Sequence, residues 1–175
     1  MFFPCRHRDT KPAVTTTSTL TASTLRHLTG CARRVWLDRH ADPLLRVEPP
    51  SALADNGRAH EDIISAQRYG PTTALPTASW AEAVQLTRAL MRQGVRAVRG
   101  AALERSAAFD GGGPVMVRGR VDWLVRHDRH SGGWRYAPVE IKQRRTLTEA
   151  DQLQLDLYLW LLEDAQGDGV SEGLF

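Results

Sequence analysis

Between Gly111-Gly112-Gly113 and Gly132-Gly133 the chain alternates with a period of two. Positions 115, 117, 121, 123 and 125 are apolar, and 118, 120, 122 and 126 are charged. That pattern predicts a half-buried strand over Val115–Arg126. A Ser-Gly-Gly turn leads to a second strand, Trp134–Lys142. A turn centred on Ser131 pairs residues equidistant from it, so Asp122 faces Glu140 across the ladder. Residues two apart share a face, which places Lys142 beside Glu140. The opposite face carries Val121, Trp123, Val139 and Ile141, a core set. A one-residue slip would send Asp122 to the wrong face, and Pro138 marks an edge strand or a bulge.

The rest of the chain supplies helices around this hairpin. Residues 1–18 are Thr-rich, with charges and two prolines and no apolar periodicity, and read as a disordered lead. Ser23 is the expected cap of a helix over Thr24–Gly30, and Cys31–Leu37 is helix-compatible. A second helix is expected over Ser51–Tyr69, with Ala59, Ile63 and Ile64 inward. A third, capped by Ser79, is expected over Trp80–Val98, with Val84, Leu86, Leu90, Met91 and Val95 buried. Leu103–Phe109 reads as an earlier strand. Thr148-Glu-Ala-Asp151 starts a last helix in capping-box fashion, leading into Leu153–Glu163. Helices, a β-meander and a helix make one α/β or α+β domain over 19–175. At 175 residues, with no apolar run of membrane-spanning length and only two cysteines, a cytoplasmic protein with no membrane partner is expected.

Asp122 and Glu140, facing each other, repel unless something cationic sits between them. A hard divalent cation accepts such oxygens. Lys142 beside them can orient or deprotonate an attacking water and stabilise charge developing on a phosphate. The same three residues are also compatible with an exposed sheet face on which Lys142 neutralises Glu140. Of the 23 Lys and Arg residues only Lys11 and Lys142 are lysines.

Asp122 followed by Glu140-Ile141-Lys142 resembles the core signature of the PD-(D/E)XK nuclease superfamily. Further motifs are similar to its RecB-like exonuclease branch, which includes CRISPR-associated RecB-like nucleases. They are Leu20–Leu25 ahead of Cys31-Ala-Arg-Arg-Val-Trp-Leu37, Gly57-Arg-Ala-His60, Gly119-Arg-Val-Asp122, and Gln154-Leu-Asp-Leu-Tyr158. Ala32 stands where the branch usually has Pro. The motifs occur in the branch's order across residues 20 to 162.

The resemblance implies a restriction-endonuclease-like core with a central mixed sheet. It implies Mg²⁺ or Mn²⁺ held by His60, Asp122, Glu140 and the carbonyl of Ile141, with Lys142 acting on the attacking water. Gln154 and Tyr158 would line the site and touch DNA; one helical turn apart, they share a face. His60 alone also reads as an ordinary surface or cap histidine, and Tyr158 as a core residue. Glu61, next to His60, is left out of the site. Some members of the branch carry an iron–sulfur cluster on one early and three late cysteines. Cys31 has no later cysteine to join it here, so a cluster is not expected and Cys31 reads as a small buried residue.

Independently, Arg88, Arg92 and Arg96 recur every four residues, Arg99 lies a turn on, and no acid occurs from Ala83 through Leu103. Such a stripe suits DNA phosphates, or is simply solvated. Arg144 and Arg145 follow Lys142 closely. The expectation is a metal-dependent DNA nuclease, an exonuclease on single strands or ends, with DNA repair as its setting. The alternative is a catalytically inactive module of the same fold that binds DNA or docks a partner. The chain stops after Gly173-Leu-Phe, where a further strand is expected, which suggests a truncated domain and a helicase or further domain beyond it.

Overall fold

The computed structural model describes residues 18–47, 51–70, 75, 79–108, 113–129, 132–143 and 146–166, with only the backbone for 51–54. Residues 1–17 of the lead, Phe109, Ser131, Arg144, Arg145 and the Gly173-Leu-Phe end lie outside the described residues, whereas Ser18, expected in the disordered lead, begins a strand. The elements run β1 (Ser18–Thr21), α1 (Ala22–Gly30), α2 (Ala32–His40), a short 3-10 turn (Pro43–Leu45) and α3 (Ser51–Tyr69). Then follow α4 (Trp80–Arg92), β2 (Ala97–Ala107), β3 (Val115–Asp128), β4 (Trp134–Val139) and α5 (Glu149–Gln166). The described part is thus an α+β arrangement with a mixed sheet. Among the described residues no helix is long and apolar enough to cross a membrane.

β3 is the central strand. β2 runs antiparallel along one edge, from Ala97↔Val125 to Ala107↔Val115. The other edge is shared: β1 lies parallel to Val115–Arg118, and β4 lies antiparallel to Trp123–Asp128. The β3–β4 register has Trp123↔Val139 and Val125↔Ala137, as a turn centred on residue 131 requires. Gly119 to Asp122 therefore have no strand beside them on that edge. The expected second strand is shorter than the sequence suggests, because Glu140, Ile141 and Lys142 leave the ladder.

The residues of β2 and β3 that reach the main core change parity along each strand. Leu103 and Ala101 give way to Val98, and Val117 and Val121 give way to Leu124. The change falls at Gly100 and Asp122, the one rung that the β2–β3 register skips. Gly100 has φ +64, a conformation that costs an L residue about 1–2 kcal/mol. The strands twist there without inserting a residue. Val121 consequently packs with α5, whereas Trp123 packs with Ala97 and Val139. The single core face expected for Val121 and Trp123 is two faces.

Several helix ends differ from the sequence reading. Thr21, not Ser23, caps α1, accepting from the Thr24 N–H at 3.2 Å. Four residues of β1 are too few to show periodicity, so this strand escaped the sequence reading. α4 stops at Arg92, six residues before the expected end, because Gly94 turns the chain with φ +70. The hairpin then supplies side-chain donors to the carbonyls there: Trp134 Nε1 donates to Met91 O, Arg126 to Gly94 O and Tyr136 Oη to Val95 O. β2 starts at Ala97, well before Leu103. Cys31 is exposed between α1 and α2, not buried. On α3 the inward residues are Ser65, Ile64 and Tyr69, while Ala59 and Ile63 are exposed.

α5 is anchored as the sequence predicts. Asp151 Oδ2 accepts from both the N–H and hydroxyl of Thr148, and Arg26 of α1 pairs with Asp151 at 3.8 Å. Its Tyr158 ring lies directly on Gly119: a Cβ there would be 2.6 Å from the ring. Gly119→Ala is therefore expected to destabilise by about 1–3 kcal/mol. Gly57 of α3 has nothing within 4 Å of such a Cβ, so Gly57→Ala is expected to stabilise by about 0.5–1 kcal/mol. Chemical denaturation of both variants checks the pair; an unaffected Gly119→Ala would contradict the close approach.

Candidate active site

The four-residue interval of β3 without a neighbouring strand is where the expected site residues meet. Side chains replace the missing strand. The Arg120 carbonyl accepts from Tyr158 Oη at 3.0 Å, and the Asp122 N–H donates to Glu140 Oε1 at 3.3 Å. In return, Asp122 Oδ2 accepts from the Ile141 N–H at 2.8 Å. The two acids are thus cross-bonded to each other's strands. That exchange takes the place of the next rung and explains why β4 ends at Val139.

Glu140 is 2% exposed. Its Oε2 accepts from Lys142 Nζ at 2.8 Å and from Gln154 Nε2 at 3.3 Å. Gln154 also donates to Tyr158 Oη at 2.8 Å, and its Oε1 is 3.4 Å from Lys142 Nζ. The sequence expectation that Asp122, Glu140, Lys142, Gln154 and Tyr158 converge describes this cluster. Tyr158, however, is 2% exposed with its hydroxyl engaged at the Arg120 carbonyl. It supports the site from within and has no surface to offer DNA. Burial, then the charge of Glu140, push its phenol up, so it stays a donor.

The acids carry the electrostatic cost of this arrangement. Asp122 is pushed up to about 6, first by burial and then by the Glu140 charge, against the Ile141 N–H, Lys142 and Arg99. Glu140 is also raised, by burial first, with Lys142 opposing. Glu61 of α3 is raised by burial and by the charge of Asp122. Arg99 pairs with Glu61 at 3.2 Å and with Asp62. Glu61 and Arg99 are therefore part of the site's charge balance that the sequence reading did not use. Glu61, Ser65 and Tyr69 recur at helical spacing on the side of α3 that meets the sheet, where Ser65 Oγ accepts from Trp123 Nε1 at 2.9 Å.

A cleft of about 180 Å³ opens beside the cluster, lined by His60, Ile64, Arg68, Tyr69, Val139, Glu140, Ile141 and Lys142. His60 thus shares a wall with Glu140 and Ile141. Among the described residues no three His, Cys, Asp or Glu side chains are gathered closely enough to form a ready-made metal cage. The donor set nevertheless suits a hard cation: Mg²⁺ needs only one or two carboxylates and keeps its waters. Two raised carboxylates facing one another are short of positive charge, which such an ion would supply.

The arginine stripe does not form. Arg88 and Arg92 lie on α4, Arg96 lies beyond its end, and Arg99 is on β2. Arg88 pairs with Asp164 of α5 at 3.5 Å, so the stretch is not uncompensated. Arg88 and Arg92 line a separate cleft with Trp134 and Tyr136, which shares no residue with that of Glu140.

The raised acid predicts a pH dependence. A folded-state value above the unfolded one means the native state holds the proton more tightly, so stability falls as pH rises from about 4 to about 6. Asp122→Asn is therefore expected to raise Tm at pH 7.5 without divalent ion, and to lose most of that advantage at pH 4. Differential scanning calorimetry at both pH values checks this; a lower Tm for the variant at pH 7.5 would contradict it.

No protein-family model matches the chain, and no curated protein matches it. A solved structure described as "Crystal structure of SSO0001" is similar over 86% of this chain and 59% of that chain, at 18% identity and a TM-score of 0.43. The match thus spans less than two thirds of that chain's length, and a likeness at this level carries no argument about function.

Proposed function

We propose that the protein is a divalent-metal-dependent nuclease that hydrolyses DNA phosphodiester bonds, acting as an exonuclease on single strands or ends. The observation that supports it most is the cross-bonded pair of Asp122 and Glu140, with Lys142 at 2.8 Å from Glu140 beside an open cleft. Asp122, Glu140 and the Ile141 carbonyl would hold Mg²⁺ or Mn²⁺, with His60 at the cleft wall. When bound, the ion would polarise the phosphate and ease deprotonation of the attacking water.

The chain's own groups then divide the remaining work. Lys142 offers N–H donors to negative charge developing on the phosphate oxygens. Gln154 fixes both Lys142 and Glu140, and Tyr158 fixes Gln154. Water adds to phosphorus, the bridging P–O bond breaks, the water loses its proton to solvent and the departing oxygen gains one.

A second reading is a catalytically inactive module of the same fold that binds DNA or docks a partner. The contact of Lys142 with both Glu140 and Gln154 favours it, since that network is satisfied without substrate. Cleavage of end-labelled single- and double-stranded DNA with Mg²⁺, Mn²⁺ or EDTA separates the two. Metal-dependent release of label, reduced at least 100-fold by Lys142→Ala, is expected. Folded protein that binds DNA without cutting it would favour the inactive module.

A further inference from the structure

We propose that Arg120, carried on the ring of Trp80, is the residue that grips a DNA phosphate and seats the strand across Asp122. This rests on the nuclease reading above, and moves the principal DNA contact from the arginines of α4 to the central strand. Arg120 is two residues before Asp122 on β3, a separation of about 7 Å along a strand. Its side chain is exposed.

The surrounding charges leave it available. The site's carboxylates have other cations: Lys142 holds Glu140, and Arg99 pairs with Glu61 and Asp62. Arg120 makes no ion pair among the described residues. Among the described residues it has one protein hydrogen bond, from Nη1 to the Gly100 carbonyl at 3.3 Å. A guanidinium has five N–H donors in a planar fork, so most of them remain for an anion. That fork matches a phosphate bidentately, which a lysine does not.

The position is also held in advance. The Arg120 guanidinium carbon lies 5.5 Å from the centre of the Trp80 ring, and that of Arg118 lies 5.5 Å from the same ring. Trp80 is fixed by Ala83, Val84 and Ala102. Arg118 is tied to Glu104 at 3.1 Å. Cation–π contact favours this orientation over free rotation. Two guanidinium groups on one indole repel each other, and an anion bound at Arg120 relieves that repulsion. Arg88, by contrast, already pairs with Asp164 at 3.5 Å.

The test is fluorescence anisotropy of a fluorescein-labelled single-stranded oligonucleotide on the full chain carrying Lys142→Ala, in Mg²⁺, over a salt series. Adding Arg120→Glu is expected to weaken binding at least 10-fold. It should also reduce the slope of log K against log salt by about 1, because one phosphate contact is lost. Arg120→Lys should restore the slope but not the full affinity, and Arg92→Glu should change affinity less than 3-fold. Thermal melts of the Arg120 variants should match the parent, so that a loss of binding is not a loss of fold. Arg120→Glu binding within 2-fold of the parent, with the same slope, would overturn the proposal while leaving the nuclease reading intact. Failure of the parent and of the unsubstituted chain alike to bind DNA would overturn both.

Discussion

A β-strand with an unpaired edge inside a packed domain must find other partners for its N–H and C=O groups, because a buried unsatisfied group costs about 1–3 kcal/mol. β3 meets this constraint at Gly119–Asp122, between the end of β1 and the end of β4. Tyr158 reaches in from α5 and Glu140 from the end of β4 to satisfy the Arg120 carbonyl and the Asp122 N–H. Gly119 is what lets the helix come close enough. Much of the site follows: Glu140 is drawn under α5, Gln154 meets it there, and Asp122 is left facing it. The bonds that fill the gap are the bonds that assemble the cluster.

Stability and site chemistry oppose each other here. Two carboxylates held together away from water favour protonation, and the available cations, Lys142 and Arg99, do not offset that. The rest of the domain must carry this cost. Trp123 locked to Ser65 and Tyr69, the main core under α5, and the hairpin clasping the end of α4 all do so. A cation bound between the acids would turn a repulsion into an attraction. That is why the proposed activity and metal-dependent stability belong to one account.

Local patterns were readable in the sequence wherever a period or a symmetry applied. The hairpin register followed from its turn and the alternation of 115–126, and it brings Asp122 and Glu140 together just beyond the last rung, Trp123↔Val139, although not as a ladder pair. α3 and the capping of α5 were equally legible. Long-range effects were not. The end of α4 depends on Gly94 and on a tryptophan forty residues later, so helix periodicity ran past it and produced an arginine stripe that does not exist. The face change at Gly100 and Asp122 separates Val121 from Trp123, which strict alternation could not show. Glu61 is not legible as a site residue because its partners, Arg99 and Asp122, lie on other elements. A polar stripe of Glu61, Ser65 and Tyr69 was the signal that could have drawn attention to it. Tyr158 was assigned to DNA from its motif, whereas burial on Gly119 gives it a supporting position.

The most direct measurement of the central claim is paramagnetic broadening of backbone amide signals by substoichiometric Mn²⁺ in an assigned NMR spectrum. The account predicts that the amides of Asp122 and Ile141, which the two acids cross-bond, broaden first, followed by their neighbours around Glu140. Broadening confined to other acidic positions, such as Glu163 and Asp164, with Asp122 and Ile141 still sharp, would contradict it.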